Sequence, residues 1–330
     1  MKNAAIIGLG HYLPDRVVTN NDLEKLMETS DEWIQERTGI VTRRWMTEND
    51  TIGSMSHAAA QMALENAGLQ AADIDCIIFA TLISDHVFPG GGCILGEKLG
   101  IPGIPAIDVR NACSGFVYSV TIANSFIKSG LYKNILVVGA EAVSHCLDKT
   151  THGRNTAVIF ADGAGAAVLS AIDDPKKGVL TTHIHADGRH ATPLSGISPY
   201  LPKTIPFDPE IPGDGVKINM DGQYVFKHAI TKFPKVIHEA LEATGYTVDD
   251  LDLLIPHQAN LRITQAVGSR LGIPEEKVVS NIQKYGNTTA ASIPIAMSEV
   301  WQEGRIKDNT LVCIAAFGAG FTWGSALIRF

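Results

Sequence analysis

The sequence has few of the features that mark several common classes of protein. Its 27 Lys and Arg are outnumbered by 35 Asp and Glu, and the resulting net charge of −8 argues against nucleic acid as the main partner. Aromatic residues make up 7% of the chain and charged residues 19%, whereas hydrophobic residues reach 45%. A chain of 330 residues with this composition can bury a large core, which excludes a disordered chain and a small binding module.

Paired cysteines and long apolar segments are also missing. The five cysteines are odd in number and include no C-x-x-C pair, which excludes a disulfide framework and a zinc knuckle and indicates a reducing compartment, the cytoplasm. The apolar run over 4–10 is too short for a signal peptide and predicts a first strand. The uncharged stretch Leu311 to Ile328 is divided by Gly318, Gly320 and Gly324, which predicts strand, turn and strand and no membrane span.

The chain contains an internal repeat. The segment that begins LENAGLQAADID at Leu64 is similar to the one that begins LEATGYTVDDLD at Leu241, LGIP occurs at Leu99 and Leu271, and the pattern Asn-x-Leu-Val begins at Asn134 and Asn309. Their offsets of 177, 172 and 175 residues are nearly equal, which indicates duplication of an α/β unit. We therefore expect two pseudo-symmetric halves, residues 1–175 and 176–330, joined near Asp173 to Gly178.

One segment interrupts this pattern. Six of the fifteen prolines lie between residues 190 and 215, at positions 193, 199, 202, 206, 209 and 212. A long irregular stretch of this kind is usually a lid or a binding loop. It has no counterpart in the first half.

Cys113 is the strongest candidate nucleophile. A strand predicted over 106–109 runs into Asn-Ala-Cys-Ser-Gly, and a helix with one apolar face follows. The unpaired amides at a helix N-terminus favour a thiolate. The alternative is a buried structural cysteine, which is our interpretation for Cys76 and Cys313 because both lie in apolar strands.

Two polar residues of the second half are expected beside Cys113. His257 follows a strand predicted over 251–255, and side chains at the carboxyl ends of such strands form the sites of α/β proteins. The repeat offset of about 174 places Asn287 opposite Cys113, between a strand and a helix that begins near Ser292. Equivalent strand ends of two symmetric halves converge, so these three side chains should meet.

Four ordered motifs carry a family resemblance. The segments NACSGF, PHQANLRI, YGNTTAASIP and AFGAGFTWGSALIRF together resemble the beta-ketoacyl-acyl carrier protein synthase III family, and the likeness extends to TSDEWIQERTGI and ADGAGAAVL. The resemblance implies the α/β thiolase fold, internally duplicated in five layers, α-β-α-β-α. It also implies a homodimer and a reaction without a cofactor.

The resemblance further implies a decarboxylative condensation. Cys113 would take an acyl group from acyl-coenzyme A, and malonyl-acyl carrier protein would then lose carbon dioxide. His257 and Asn287 would stabilise the resulting enolate, while the backbone N–H groups of Cys113 and Ala319 would form an oxyanion hole. The family often has Gly where this chain has Ala319.

The remaining site residues also come from the resemblance. Trp33 and Arg154 would stack around the adenine of coenzyme A, and Arg37, one helical turn from Trp33 in a helix that Thr29 and Glu32 would cap, would contact its phosphates. The pantetheine arm would meet Gly222, Phe226 and Asn260. The acyl carrier protein would dock on Lys227 and Arg262, and Phe88 would close the acyl pocket of the partner subunit.

Several alternatives remain open at this stage. Acetyl is the default primer, but longer or branched acyl groups and specialised metabolism stay open as alternatives, since the triplet Gly90 to Gly92 and the proline-rich segment depart from the common pattern. A non-decarboxylating thiolase would need a second cysteine, and a carrier-protein scaffold would need none. A papain-like peptidase shares the order Cys, His, Asn but not the duplication. A metal site at His183, His185 and His190 is rejected because no carboxylate completes the set.

Overall fold

The computed structural model describes residues 2–197 and 217–330, so positions 198–215 of the predicted proline-rich loop lie outside the described residues. The described strands are β1 (Asn3–Tyr12), β2 (Val17–Thr19), β3 (Thr42–Arg44), β4 (Cys76–Ala80), β5 (Ala106–Val109), β6 (Asn134–Ala142), β7 (Asp162–Ile172), β8 (Gly178–Ala186), β9 (Leu194–Ile197), β10 (Lys217–Met220), β11 (Leu253–Pro256), β12 (Leu311–Gly318) and β13 (Thr322–Arg329). The described helices are α1 (Asn20–Glu24), α2 (Asp31–Thr38), α3 (Ile52–Ala67), α4 (Gly91–Lys98), α5 (Gly115–Lys128), α6 (Arg154–Ala157), α7 (Gly222–Thr244), α8 (Leu261–Leu271), α9 (Ile282–Tyr285) and α10 (Ser292–Gln302).

Two sheets of matching topology form the centre of the molecule. The first has the order β1-β7-β6-β4-β5, with β4 parallel to both of its neighbours and the remaining pairs antiparallel. The second has the order β8-β13-β12-β11, with β11 parallel to β12 and the other pairs antiparallel. A parallel bridge from Leu254 to Val278 occupies the place of β5. The internal duplication predicted from the repeat is therefore confirmed.

Helices separate and cover the sheets to give five layers. α5 and α10 lie between the sheets, where α5 contacts β6 and β13 and α10 contacts β7 and β11. α3 and α4 cover the outer face of the first sheet, and α7 covers that of the second and packs against α8. Three apolar clusters fill the spaces between the layers, and the central one joins both sheets through α5 and α10.

The strand sequences follow from this layering. β4, β6 and β12 are buried along their whole length because helices cover both sheet faces, and they read as continuous apolar runs. The uncharged stretch Leu311 to Ile328 forms the hairpin β12–β13, as predicted. No helix within the described ranges is long and apolar enough to cross a bilayer.

Glycine allows the central layer to approach the sheets closely. A Cβ on Gly139 of β6 would lie 2.4 Å from the carbonyl oxygen of Ala290, and one on Gly318 of β12 would lie 2.9 Å from Cys113 Cβ. Only a residue without a side chain permits these contacts. The sequence's 31 glycines therefore include some that bring backbone directly against backbone.

Two equivalent turns lead into the central helices. Residues 112–114 precede α5 and residues 289–291 precede α10, and the first residue of each turn has a positive φ, 48° at Ala112 and 46° at Thr289. This pairing sets the repeat offset at 177, so the counterpart of Cys113 is Ala290. The prediction that Asn287 stands opposite Cys113 is wrong. The three sequence matches differ in offset, the prediction used a value of about 174, and Asn287 lies before the turn.

Candidate active site

Cys113 lies on the first of these turns, between β5 and α5. The positive φ of Ala112 turns the chain sharply after β5 and sets Cys113 at the start of the helix, against Gly318. Burial, with a smaller contribution from the charge of Glu141, raises the pKa of the Cys113 thiol to about 12. Desolvation therefore opposes the thiolate that the helix amides were expected to favour.

His257 directly follows β11, which begins two residues later than predicted. Its backbone N–H donates to Ala315 of β12 at 2.8 Å, and its Nδ1 lies 2.6 Å from Ser292 Oγ. Ser292 Oγ accepts from the Gln258 N–H at 3.3 Å, so the hydroxyl hydrogen is directed to Nδ1. We therefore assign the neutral tautomer with hydrogen on Nε2, an atom that is buried without a partner in the described chain.

Burial also lowers the pKa of His257 to about 3. The imidazole is consequently neutral at physiological pH. A neutral ring whose Nδ1 accepts a hydrogen bond offers a single N–H donor, and here that donor is aimed at no other protein group described. Such an N–H can stabilise a developing negative oxygen without losing its own proton.

Asn287 is held by both its backbone and its side chain. Its N–H donates to the Ile159 carbonyl and its carbonyl accepts from the Ala161 N–H, both at 2.9 Å. Its Oδ1 accepts from the Thr289 N–H at 2.9 Å, which leaves the Nδ2 hydrogens as free donors among the described contacts. Asn287 follows the short helix α9, where a strand had been predicted.

Glu141 at the end of β6 is a functional candidate that the sequence did not reveal. Its carboxyl is fully buried, and its Oε1 accepts from the Leu82 N–H at 3.0 Å. Burial raises its pKa to about 8, although the Thr289 hydroxyl and the amides of Leu82 and Ala290 oppose the shift. A mostly apolar stretch such as NILVVGAEA predicts a buried strand but does not show that its carboxyl group acts on Cys113.

One cavity of about 440 Å³ joins the predicted catalytic residues. Cys113, His257, Asn287 and Ala319 all line it. The Ala319 N–H donates to no acceptor in residues 2–197 and 217–330, so it is available to a bound oxygen. The three predicted side chains therefore do meet, as the sequence indicated.

The cavity continues toward a basic mouth. A second cavity of about 610 Å³ shares Gly222, Phe226 and Asn260 with the first and is also lined by Trp33, Arg37 and Arg262. Asn260 caps α8 by accepting from the Arg262 N–H at 2.9 Å, and its Nδ2 donates to the Arg37 carbonyl at 2.9 Å. These contacts fix the junction between α2 and α8 at the entrance.

Trp33 lies between two guanidinium groups at this mouth. The Cζ atoms of Arg37 and Arg154 are 4.7 and 4.9 Å from its ring centroid. Arg154 also donates to the Glu28 carbonyl at 2.7 Å. The predicted cap by Thr29 and Glu32 is wrong, because α2 begins one residue later and Ser30 accepts the Trp33 N–H at 3.1 Å.

The other predicted contact residues lie outside the two cavities. Lys227 is exposed on α7 beside Phe226, whose ring lies 5.8 Å from Arg262 Cζ. Phe88 is 83% exposed in the loop before α4 and does not line the cavity around Cys113 in the single chain. All five cysteines are free thiols.

The histidines considered as a metal site have a different arrangement from the predicted one. His183 Nδ1 and His185 Nε2 lie 3.3 and 2.7 Å from the two carboxylate oxygens of Glu239 on α7. A carboxylate therefore does stand between them, and the reason given for rejecting a metal was wrong. In the part of the chain that the structure describes, no group of three or more possible ligands has a geometry that could hold a metal ion.

The chain is similar to known proteins over almost its whole length. A family model described as 3-oxoacyl-[acyl-carrier-protein (ACP)] synthase III matches residues 107–188, and a model of its C-terminal part matches residues 241–330. The beta-ketoacyl-[acyl-carrier-protein] synthase III of Salmonella typhi is 46% identical over 325 residues, which are 98% of this chain and 99% of that protein.

Solved structures agree with the sequence matches. The 3-oxoacyl-[acyl-carrier-protein] synthase III of Aquifex aeolicus is 44% identical with a TM-score of 0.91, over 99% of this chain and 100% of that one. The priming beta-ketosynthase of the R1128 polyketide pathway is 31% identical with a TM-score of 0.92, over 100% of this chain and 96% of that one. This chain therefore belongs to the beta-ketoacyl-acyl carrier protein synthase III family and has its thiolase-like fold.

Proposed function

We propose that the chain condenses an acyl group from acyl-coenzyme A with malonyl-acyl carrier protein. The observation that carries the proposal is the cavity in which a buried thiol, a neutral imidazole N–H, a free amide donor and a free backbone N–H come together. These are the groups that a covalent acyl transfer and an enolate need.

In the first proposed step, Cys113 Sγ attacks the thioester carbonyl of acyl-coenzyme A. A carbon–sulfur bond forms to Cys113, and the bond to coenzyme A breaks, releasing its thiol. The N–H groups of Cys113 and Ala319 bind the oxyanion. Because burial raises the pKa of Cys113, its proton must leave as the sulfur attacks, and it ends on the sulfur of the departing coenzyme A.

In the second proposed step, malonyl-acyl carrier protein occupies the same cavity. The bond between the carboxylate carbon and the methylene carbon of the malonyl group breaks, which releases carbon dioxide and leaves an enolate. The enolate oxygen accepts from His257 Nε2–H and Asn287 Nδ2–H. The enolate carbon then attacks the acyl-enzyme, and Cys113 leaves as the thiolate. The reaction needs no oxidant, and we assign no step to a cofactor.

The mouth of the cavities suits coenzyme A in the proposed orientation. Trp33 and Arg154 would stack on the adenine, Arg37 would meet the phosphates, and Gly222, Phe226 and Asn260 would line the pantetheine arm. An aromatic ring inserted between Trp33 and Arg154 needs more room than the present 4.9 Å, so Arg154 would move away from Glu28. Arg262 and Lys227 would bind the acyl carrier protein beside this entrance, and the chain would work as a cytoplasmic homodimer.

A non-decarboxylating thiolase is the weaker candidate. It would need a second cysteine at the site, and Cys113 is the sole cysteine among the described residues that line the cavity. Cys313 is buried inside β12, where burial raises its pKa to about 12.

Mass spectrometry of the intact chain tests the proposal. Wild type and Cys113→Ala are incubated with acyl-coenzyme A thioesters from acetyl upward, and an acyl adduct is expected on the wild type alone. His257→Ala and Asn287→Ala should still form the adduct but lose decarboxylation of malonyl-acyl carrier protein. An adduct on Cys113→Ala, or none on the wild type with any thioester, would refute the proposed function.

A further inference from the structure

We infer that Arg110 selects acyl-coenzyme A primers that carry a carboxylate at the end distal to the thioester. The class is the monothioesters of short dicarboxylic acids. The inference rests on the proposed function, because it concerns the group that Cys113 accepts.

Arg110 is an exposed residue, and it lines the cavity that contains Cys113. Of the described residues that form its wall, Arg110 alone has a charged side chain. Most of the others are apolar, including Leu82, Ile83 and Phe160. A single charged group in a largely apolar wall favours a ligand that combines a hydrocarbon chain with one anionic group.

Arg110 lines the part of the inner cavity that the outer cavity does not share. Arg110 directly follows β5, which runs parallel to β4, and the Thr81 N–H donates to Val109 at 3.3 Å. Leu82, Ile83 and Arg110 therefore follow neighbouring strand ends. They belong only to the inner cavity, whereas Gly222, Phe226 and Asn260 also belong to the outer one. An acyl chain attached to Cys113 and pointing away from the pantetheine arm would run toward Arg110.

The guanidinium has no partner within residues 2–197 and 217–330. No hydrogen bond or ion pair joins it to a described residue, although Asp108 of β5 and Glu141 of β6 belong to the same sheet. Asp108 accepts from the N–H groups of Gly91 and Gly92 at 2.7 and 3.0 Å, and Glu141 accepts from Leu82. Both carboxyl groups are thus engaged elsewhere, which leaves Arg110 able to bind an external carboxylate in a bidentate pair.

Butyryl- and succinyl-coenzyme A form a matched pair of probes for this interaction. Their acyl groups have four carbons each and differ by the terminal carboxylate. An alkyl end would bring a methyl group against the guanidinium and remove water from the charge without replacing its hydrogen bonds, which is unfavourable. A carboxylate end would form hydrogen bonds to the guanidinium in place of those that the water made.

The test is the rate of acyl-enzyme formation, followed by intact mass without malonyl-acyl carrier protein. Wild type should react faster with succinyl- than with butyryl-coenzyme A. Arg110→Gln, which keeps a polar side chain but removes the charge, should lower the succinyl-to-butyryl ratio by about tenfold or more. Arg262→Gln is the control, because a change at the coenzyme A entrance should slow both thioesters and leave the ratio unchanged.

Three outcomes would overturn the inference. The first is an equal ratio in wild type and Arg110→Gln. The second is unchanged acylation by both probes with slower malonyl decarboxylation, which would assign Arg110 to the malonyl carboxylate. The third is no adduct from any thioester, which would refute the proposed function as well; adducts with an unchanged ratio would refute this inference alone.

Discussion

At the scale of single residues, the hydroxyl of Ser292 decides which nitrogen of His257 carries hydrogen. The first prediction is that Ser292→Ala slows malonyl decarboxylation by about tenfold while acylation of Cys113 continues, because the ring is no longer held as the Nε2–H donor. Separate assays of acyl-adduct formation and carbon dioxide release check it.

Ser298→Ala is the matched control for Ser292. Ser298 is also buried on α10, and its Oγ lies 2.8 Å from Nδ1 of another histidine, His11. Acylation of Cys113 and malonyl decarboxylation should both proceed at the wild-type rate in Ser298→Ala. Equal loss of the two steps in Ser292→Ala would show that the serine only maintains the fold.

The buried carboxyl of Glu141 should make stability depend on pH. Its pKa is about 8 in the folded chain and near its ordinary 4.5 when unfolded, so folding favours the protonated form. The contribution is complete below pH 4.5 and declines as pH rises to about 8. The second prediction concerns the free energy of unfolding of Glu141→Gln minus that of the wild type. This difference should increase as the pH rises from 5 to 8, as measured by urea denaturation.

A surface variant separates this effect from the general titration of the chain. Glu65→Gln removes an exposed glutamate of α3, so its difference from wild type should be small and constant over the same range. If the free energy of unfolding of Glu141→Gln changes with pH in parallel with that of the wild type, the carboxyl does not titrate as described.

At the scale of elements, the contact between β6 and the turn before α10 depends on Gly139. The third prediction is that Gly139→Ala lowers the free energy of unfolding by about 1–3 kcal/mol, because the new Cβ would press on the Ala290 carbonyl 2.4 Å away. Urea denaturation measures the loss. Gly188→Ala, where a Cβ would meet nothing within 4 Å, should change stability little, and similar losses in both would contradict the proposed contact.

Helices and strands were predicted correctly where the residue pattern is typical of only one kind of element. The strand β5, the start of α10 and the hairpin β12–β13 agree with the predictions because apolar runs and glycines mark their ends. Asn287 was misplaced because matches at offsets of 172 to 177 cannot define a register to one residue. Ser292, Glu141 and Arg110 went unnoticed, since their roles depend on neighbours that are distant in sequence.

At the scale of the whole molecule, an exposed apolar loop indicates association. Val87 and Phe88 are 73% and 83% exposed, which is unusual for adjacent large apolar residues. The fourth prediction is that the chain sediments near 71 kDa, twice its 35.4 kDa.

Phe88→Ala should then accept a wider range of primers, because the loop of one subunit would close the acyl pocket of its partner. Sedimentation at the mass of a single chain, or an unchanged primer range, would contradict this role.

The two strained turns also record the history of the fold. Thr289 has the same rare backbone conformation as Ala112, although no nucleophile follows it. In an ancestor half as long that paired with an identical copy, both turns would have presented the same residue. In the present chain one turn carries a thiol, while the first amide of the other donates to Asn287 Oδ1. One backbone shape thus serves two different local tasks in the two halves.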